Sequence, residues 1–203
     1  MIRAEDVVLI LLAAGRSERF GDIGSKLDEP FLGRPLGVHV AVALEAVPFR
    51  ERIAIVGACK IDFTRHGFRA LPNPDPKRGM ASSVRIGVEA AMAIGAEAVL
   101  IALADMPRVT ATHIFNLLDA YDADDAVVAS SDGVTPHPPA LFGRDRFDLL
   151  LALEGDNGAR EMIRRGNHVV TTEAEMIDVD TPEELERLRE LVHAPEALTR
   201  RFD

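Results

Sequence analysis

Arg19 and Lys26 stand seven residues apart in a loop that follows an unbroken apolar run, Val7–Ala13. Gly15, Gly21 and Gly24 interrupt that loop. Glycines let backbone amides approach an anion closely. Arginine offers phosphate oxygens a planar fork, and lysine offers a point charge. A loop of this kind suits polyphosphate binding; a solvated turn with incidental basic residues is the competing reading. Two familiar phosphate loops fit poorly. G-x-G-x-x-G is absent, and the P-loop pattern fails because Gly24 lies two residues before Lys26 and Leu27 stands where a hydroxyl belongs. Pro30 also opposes a helix starting at Lys26.

Carboxylates supply the second half of such chemistry. Asp105 follows the apolar run VLIALA, at what should be the carboxyl end of a strand. Mg²⁺ is usually held by one or two carboxylates together with substrate phosphates. Asp105 is the first candidate ligand; a loop acid capping the next turn is the alternative. Asp178 and Asp180 lie two apart and share a face if the segment is extended. Thr181, Pro182 and Glu184 make a helix start, with Thr181 as N-cap, Pro182 as first helical residue and a T-x-x-E box. That role needs Thr181 and neither aspartate. Ser82 and Ser83 read as hydroxyls or amides near an anion at a helix N-terminus, or as caps.

The elements that must position these residues follow from the apolar pattern. Strand-length runs recur at Val7–Ala13, Ile53–Val56, Val99–Leu103, Ala126–Ala129 and His168–Thr171. Helix-like stretches fall at Leu36–Val47, Ser82–Ile94, Thr110–Tyr121 and Glu183–Val192. Alternating strands and helices predict a mostly parallel sheet covered on both faces, a three-layer α/β/α sandwich. The runs are continuously apolar, as strands buried on two sides are. In such a sheet ligands bind beyond the carboxyl ends of the strands, where Gly15–Lys26 and Asp105 both fall. Pro138 and Pro139 cannot donate ladder bonds, so HPPALFG should sit at an edge or open a strand. The tail HAPEALTRRFD is expected on the surface or frayed.

The chain has 203 residues, which suits a single domain, 1–203. Its net charge is −10 with one Tyr and no Trp, which argues against a nucleic-acid partner. Local charge opposes the net charge: Lys77, Arg78 and Arg85 occur in a stretch without an acid. No run of 18 apolar residues suggests a membrane span, and MIRAED lacks the layout of a signal peptide. Cys59 stands alone, which excludes an internal disulfide and fits a cytoplasmic setting. It reads as a plain buried thiol. The six histidines show no zinc spacing, and His39 reads as a packed or capping residue.

The stretch LLAAGRSERFGDIGSK resembles the signature of nucleotidyltransferases that activate sugars, isoprenoid precursors and molybdopterin. Leu12, Ala13, Ala14, Gly15, Arg19 and Lys26 stand at the signature positions. NPDPKRGMASSVRIG (Asn73–Gly87) and LADMP (Leu103–Pro107) resemble two further segments of the molybdenum-cofactor branch. PALF (Pro139–Phe142), GDNGAR (Gly155–Arg160) and IDVDTPEEL (Ile177–Leu185) resemble its later motifs. From about residue 7 to 192 the chain is similar to molybdenum cofactor cytidylyltransferases, a MobA-like group.

That resemblance implies a Rossmann-like sandwich of the nucleotide-diphospho-sugar transferase type. It implies an N-terminal nucleotide-binding part and an acceptor-binding part at about 130–175. The implied reaction moves a nucleoside monophosphate from a nucleoside triphosphate to a phosphorylated acceptor, molybdopterin, and releases pyrophosphate. Arg19, Lys26 and Asp105 would be catalytic, with Mg²⁺ on Asp105 and Asp180 and Asp178 the weaker candidate. Leu12, Ala13, Ala14, Gly15, Arg16, Ser17, Lys26, Asn73, Gly79, Met80, Ser82 and Ser83 would bind the nucleotide. Pro139, Asp156, Gly158 and Arg160 would face the acceptor; Asp156 reads equally well as a cap of the helix 157–164. In the resembled families LAAG accompanies pyrimidine nucleotides and LAGG guanine, so Ala14 favours CTP. Molybdenum hydroxylases that take up the product would be partners. The chain departs from the pattern at Asn157, where a basic residue is usual, and at TPHPP before PALF. Guanylyl transfer with GTP, a sugar or polyol phosphate acceptor, and a non-catalytic nucleotide-binding module are the alternatives.

Overall fold

The computed structural model describes residues 1–15, 17–21, 24–123, 126–155 and 159–193. Strand β1 (Val7–Ala13) is buried along its whole length. Val7, Leu9, Leu11 and Ala13 face one apolar core, and Val8, Ile10 and Leu12 face the other. A strand that is apolar at every position can sit only where both faces are covered.

Beyond β1 the chain forms a small hairpin of β2 (Pro30–Phe31) and β3 (Arg34–Pro35), helix α1 (Val38–Ala43), β4 (Glu51–Val56) and β5 (Arg69–Pro72). Helix α2 (Met80–Ala93), β6 (Ala98–Leu103) and α3 (Ala111–Asp119) follow. Then come β7 (Val127–Ser131), β8 (Pro136–Gly143), α4 (Phe147–Leu151), α5 (Arg160–Arg165), β9 (Asn167–Val170) and α6 (Pro182–His193). Seven strands form one sheet in the order β5-β4-β1-β6-β8-β7-β9. Its pairs are parallel except those made by β8, which runs antiparallel to both neighbours. The expected three-layer arrangement is present. Helices α1 and α3 cover one face through Val40, Ala41, Ile114 and Leu117. Helices α2, α4 and α5 cover the other through Val84, Val88, Leu150 and Ile163.

One expectation is revised. Helix α1 is shorter than Leu36–Val47: Leu36, Leu44 and Val47 are fully buried but lie outside the helix. Their apolar character marks burial, and Pro48 disfavours helical geometry just before it. Of the two placements expected for HPPALFG the second holds: the prolines open β8, which is an interior strand and not an edge. Pairing with β6 involves only Ala140–Gly143, so the prolines precede the two-sided part. The register against β7 shifts between Ala129 and Ser130. No helix among the described residues is long and apolar enough to cross a membrane.

Candidate active site

The chain leaves β1 for β4 and β5 on one side and returns to β6 on the other. The crevice beyond the carboxyl ends of β1 and β6 is therefore the topological switch point of the sheet, the usual place for a ligand. Ala104 N–H donates to the Leu12 carbonyl at 3.1 Å and closes the two strand ends together.

The loop after β1 is pinned at several points. Lys26 N–H donates to Ser17 Oγ at 2.9 Å, and Ser25 Oγ accepts from Leu27 N–H at 3.3 Å. Phe20 buries itself in a third apolar cluster with Phe31, Leu36, Val179, Leu185 and Leu188. That anchor binds the loop to the segment before α6 and carries Arg19 to Asp180. A phenylalanine within a mostly polar loop is the sequence signal for this anchor.

The α6 side is equally fixed. Thr181 Oγ1 accepts from Glu184 N–H at 3.2 Å. The Glu184 carboxylate accepts from the N–H groups of Asp180 (2.7 Å) and Thr181 (2.9 Å), completing the expected capping box. Val179 N–H donates to the Asp105 carbonyl at 3.0 Å, so the two carboxylate-bearing segments are joined through their backbones.

Lys26 sits at the centre. Its Nζ lies 2.7 Å from Asp105 Oδ2 and 2.7 Å from Asp180 Oδ1. Arg19 reaches the other oxygen of Asp180 at 2.5 Å. The Lys26 side chain is only 8 % exposed. Burial disfavours its charge, but the adjoining carboxylates, Asp105 first, win and hold its pKa above the usual lysine value. Asp180 is likewise disfavoured as an anion by burial, yet Lys26 and Arg19 keep its carboxyl below the ordinary range. Asp178 goes the other way: loss of water and then the charges of Asp105 and Asp180 push its carboxyl up. Asp105 Oδ1 is buried and has no hydrogen-bond partner.

Two cavities meet here. A smaller one of about 180 Å³ lies between the β1 end and the start of α2, lined by Leu12, Ala14, Gly15, Lys26, Gly79, Met80 and Ser83 among others. A larger one of about 690 Å³ has an apolar wall that includes Val84, Ile101, Ala140, Phe142 and Ile163. Arg19, Arg160, Asp178 and Asp180 bring charge to it. Met80, Leu103 and Asp105 line both.

The remaining expected residues are placed as follows. Ala13 faces the opposite core, and its carbonyl lies 3.6 Å from Cys59 Sγ. Asn73 Nδ2 donates to Ser82 Oγ (2.8 Å) and Ser83 Oγ (2.9 Å). The N-cap of α2 is Gly79, and Ser82 donates back to its carbonyl. Pro139 is buried, while its neighbours Pro138 and Ala140 line the larger cavity. Arg16, Asp156 and Gly158 lie outside the described residues, as does nearly all of the expected surface tail. Arg85 donates to the carbonyls of Leu151 and Leu153 and serves packing between α2 and α4. His39 is packed edge-on against Phe31, and Cys59 is half-buried.

Comparison with known proteins agrees with this fold. Residues 9–170 match the MobA-like NTP transferase domain. A Bacillus subtilis relative, the purine catabolism protein PucB, is 28% identical over 93% of this chain and 98% of its own. A molybdenum cofactor guanylyltransferase of Methylibium petroleiphilum is 28% identical over 75% of this chain and 77% of its own. The solved structure of a Methanothermobacter nucleotidyl transferase superposes with a TM-score of 0.78 at 19% identity, covering 94% of this chain and 99% of that one.

Proposed function

The chain belongs to the MobA-like NTP transferase family, and on that premise we propose that it transfers CMP from CTP to the phosphate of molybdopterin and releases pyrophosphate. One observation carries the reading. Lys26, Asp105 and Asp180, separated by up to 154 residues in sequence, converge where the two cavities share a wall.

The smaller cavity would take the nucleotide and the larger the acceptor. An oxygen of the acceptor phosphate attacks the α-phosphorus as the bond to the β-phosphate oxygen breaks, and pyrophosphate leaves. Such transfers need alignment and charge neutralisation more than acid–base groups. A phosphate is already ionised at neutral pH, so no general base is required. Lys26 and Arg19 would exchange their present carboxylate partners for triphosphate oxygens and stabilise the charge that develops in the transition state.

A divalent cation fits the residues present. Asp105 Oδ1 is a buried acceptor without a donor, and Asp180 brings a second carboxylate beside it. No cluster of three or more metal-ligating side chains occurs among the described residues, which suits an ion completed by phosphate oxygens. Asp105 and Asp180 would hold Mg²⁺, which supplies charge neutralisation on the reacting phosphates.

Ala14, at the wall of the smaller cavity, supports CTP. Guanylyl transfer is the second reading, favoured by the relative of that name. Pyrophosphate release with molybdopterin and each of CTP, GTP, ATP and UTP decides between them. CTP is expected to be fastest. Faster release with GTP would select guanylyl transfer, and equal rates would defeat the argument from Ala14.

A further inference from the structure

Among the described residues, seven polar or charged side chains are buried: Ser25, Lys26, Asn73, Ser83, His113, Ser130 and Ser131. Burying such a group costs free energy unless it is hydrogen-bonded. Lys26, Asn73 and Ser83 belong to the site above. Ser25 caps the turn at Leu27, and Ser131 accepts from Gly133 N–H in the β7–β8 turn. His113 and Ser130 remain, 3 % and 0 % exposed.

Their contacts run in one direction. His113 Nε2, on α3, is 2.7 Å from Ser130 Oγ on β7. Ser130 Oγ in turn lies 2.7 Å from the Pro139 carbonyl on β8. A carbonyl only accepts, so the one hydroxyl proton of Ser130 is committed to Pro139. The Ser130 oxygen must then accept from His113, which fixes the Nε2–H tautomer. Consistently, His113 Nδ1 is buried without a partner.

The Pro139 carbonyl needs this hold for a reason visible in the chain. The opening of β8 is Pro-His-Pro-Pro, residues 136–139. Proline has no N–H, so His137 is the sole ladder donor in that stretch. Pairing with β6 begins only at Ala140, and the β7 register shifts at Ser130. The stretch is thus paired on one side and short of donors. Yet Thr135, Pro136, His137, Pro138 and Ala140 all line the larger cavity.

We propose that His113 is a positioning residue for this wall: through Ser130 it fixes the Pro139 carbonyl and so sets the surface against which the acceptor lies. The assignment rests on the reading of the larger cavity as the acceptor's. His113 itself lines neither cavity.

The test uses the full chain with His113→Leu, His113→Gln and Ser130→Ala, and CTP and molybdopterin as probes. Leucine removes the donor, while glutamine keeps an N–H at comparable reach. His113→Leu should raise the KM for molybdopterin about tenfold, the scale of one broken hydrogen bond whose partner stays buried, and leave the KM for CTP unchanged. His113→Gln should recover most of that loss. Ser130→Ala should have the same selectivity, and adding it to His113→Leu should cost little more, because both break one relay. Hydrogen exchange in a peptide spanning 135–143 should quicken in His113→Leu while one spanning 7–15 does not change. Unchanged exchange at 135–143, equal rises in both KM values, or a glutamine variant no better than leucine would overturn the proposal. If the wild-type protein consumes no molybdopterin, the acceptor reading falls, and the exchange comparison still decides whether His113 holds the wall.

Discussion

At the scale of residues, Lys26 joins the two halves of the centre. Its ammonium occupies the space between the two carboxylates that would hold a divalent cation. Lysine and metal would therefore compete until a triphosphate offers Lys26 other oxygens. Lys26→Met should bind Mn²⁺ more tightly than the wild type when nucleotide is absent, measured by titration of free Mn²⁺. The same variant should lose about 10²-fold or more in rate, the scale of one transition-state stabiliser. Weaker Mn²⁺ binding by the variant would remove the competition. The ionisation of this group has a definite sign. The Lys26 contribution to stability is complete below its ordinary value of 10.5 and is lost as pH rises through its higher folded value. The Asp180 contribution is present above 3.8 and is lost as pH falls through its lower folded value. Asp178 is opposite in kind: its raised pKa means that its charge disfavours the folded state at neutral pH. Asp178→Asn should raise the Tm of the ligand-free protein at pH 7. That gain should shrink as pH falls through the folded pKa of Asp178, followed by thermal melts across pH.

Elements explain why these residues meet. The T-P-E-E start of α6 was legible in the sequence, because a capping box has a fixed spacing and its own chemistry. Strand β1 was legible because burial on both faces leaves no polar position. Strand β5 was not, since Arg69–Pro72 is short, partly exposed and without an apolar run. The antiparallel course of β8 was also hidden, because strand direction is set by the connections and not by the residues of the strand. Gly57, just past β4, was unremarkable in sequence and is tightly constrained in the fold. A Cβ there would stand 2.9 Å from Ala14 Cα, and backbone cannot yield as a side chain can. Gly57→Ala should push Ala14 and Gly15 toward the smaller cavity. The KM for CTP should rise and the KM for molybdopterin should not. Equal kinetics for wild type and variant would show that the loop has slack which the packing does not suggest.

At the scale of the whole molecule, the site closes from both ends of the chain. The family match ends at residue 170, yet Asp180 and the α6 cap complete the centre. Residue type and position in the sequence nominate Arg19, Lys26 and Asp105 one by one, while the choice of Asp180 over Asp178 comes from the family resemblance. The sequence could not show that Lys26 bridges the two aspartates, because that contact depends on the Phe20 anchor and on the backbone bond from Val179 to Asp105. Nor could it reveal the His113–Ser130 relay, whose members look like ordinary helix and strand residues. We propose metal-dependent nucleotidyl transfer at this converging centre. Its most direct test is pyrophosphate release from CTP and molybdopterin, followed against Mg²⁺ concentration, for the wild type and Asp105→Asn. Release should climb with Mg²⁺ in the wild type and be abolished in the variant; a variant that keeps the wild-type Mg²⁺ dependence would show that Asp105 does not hold the metal.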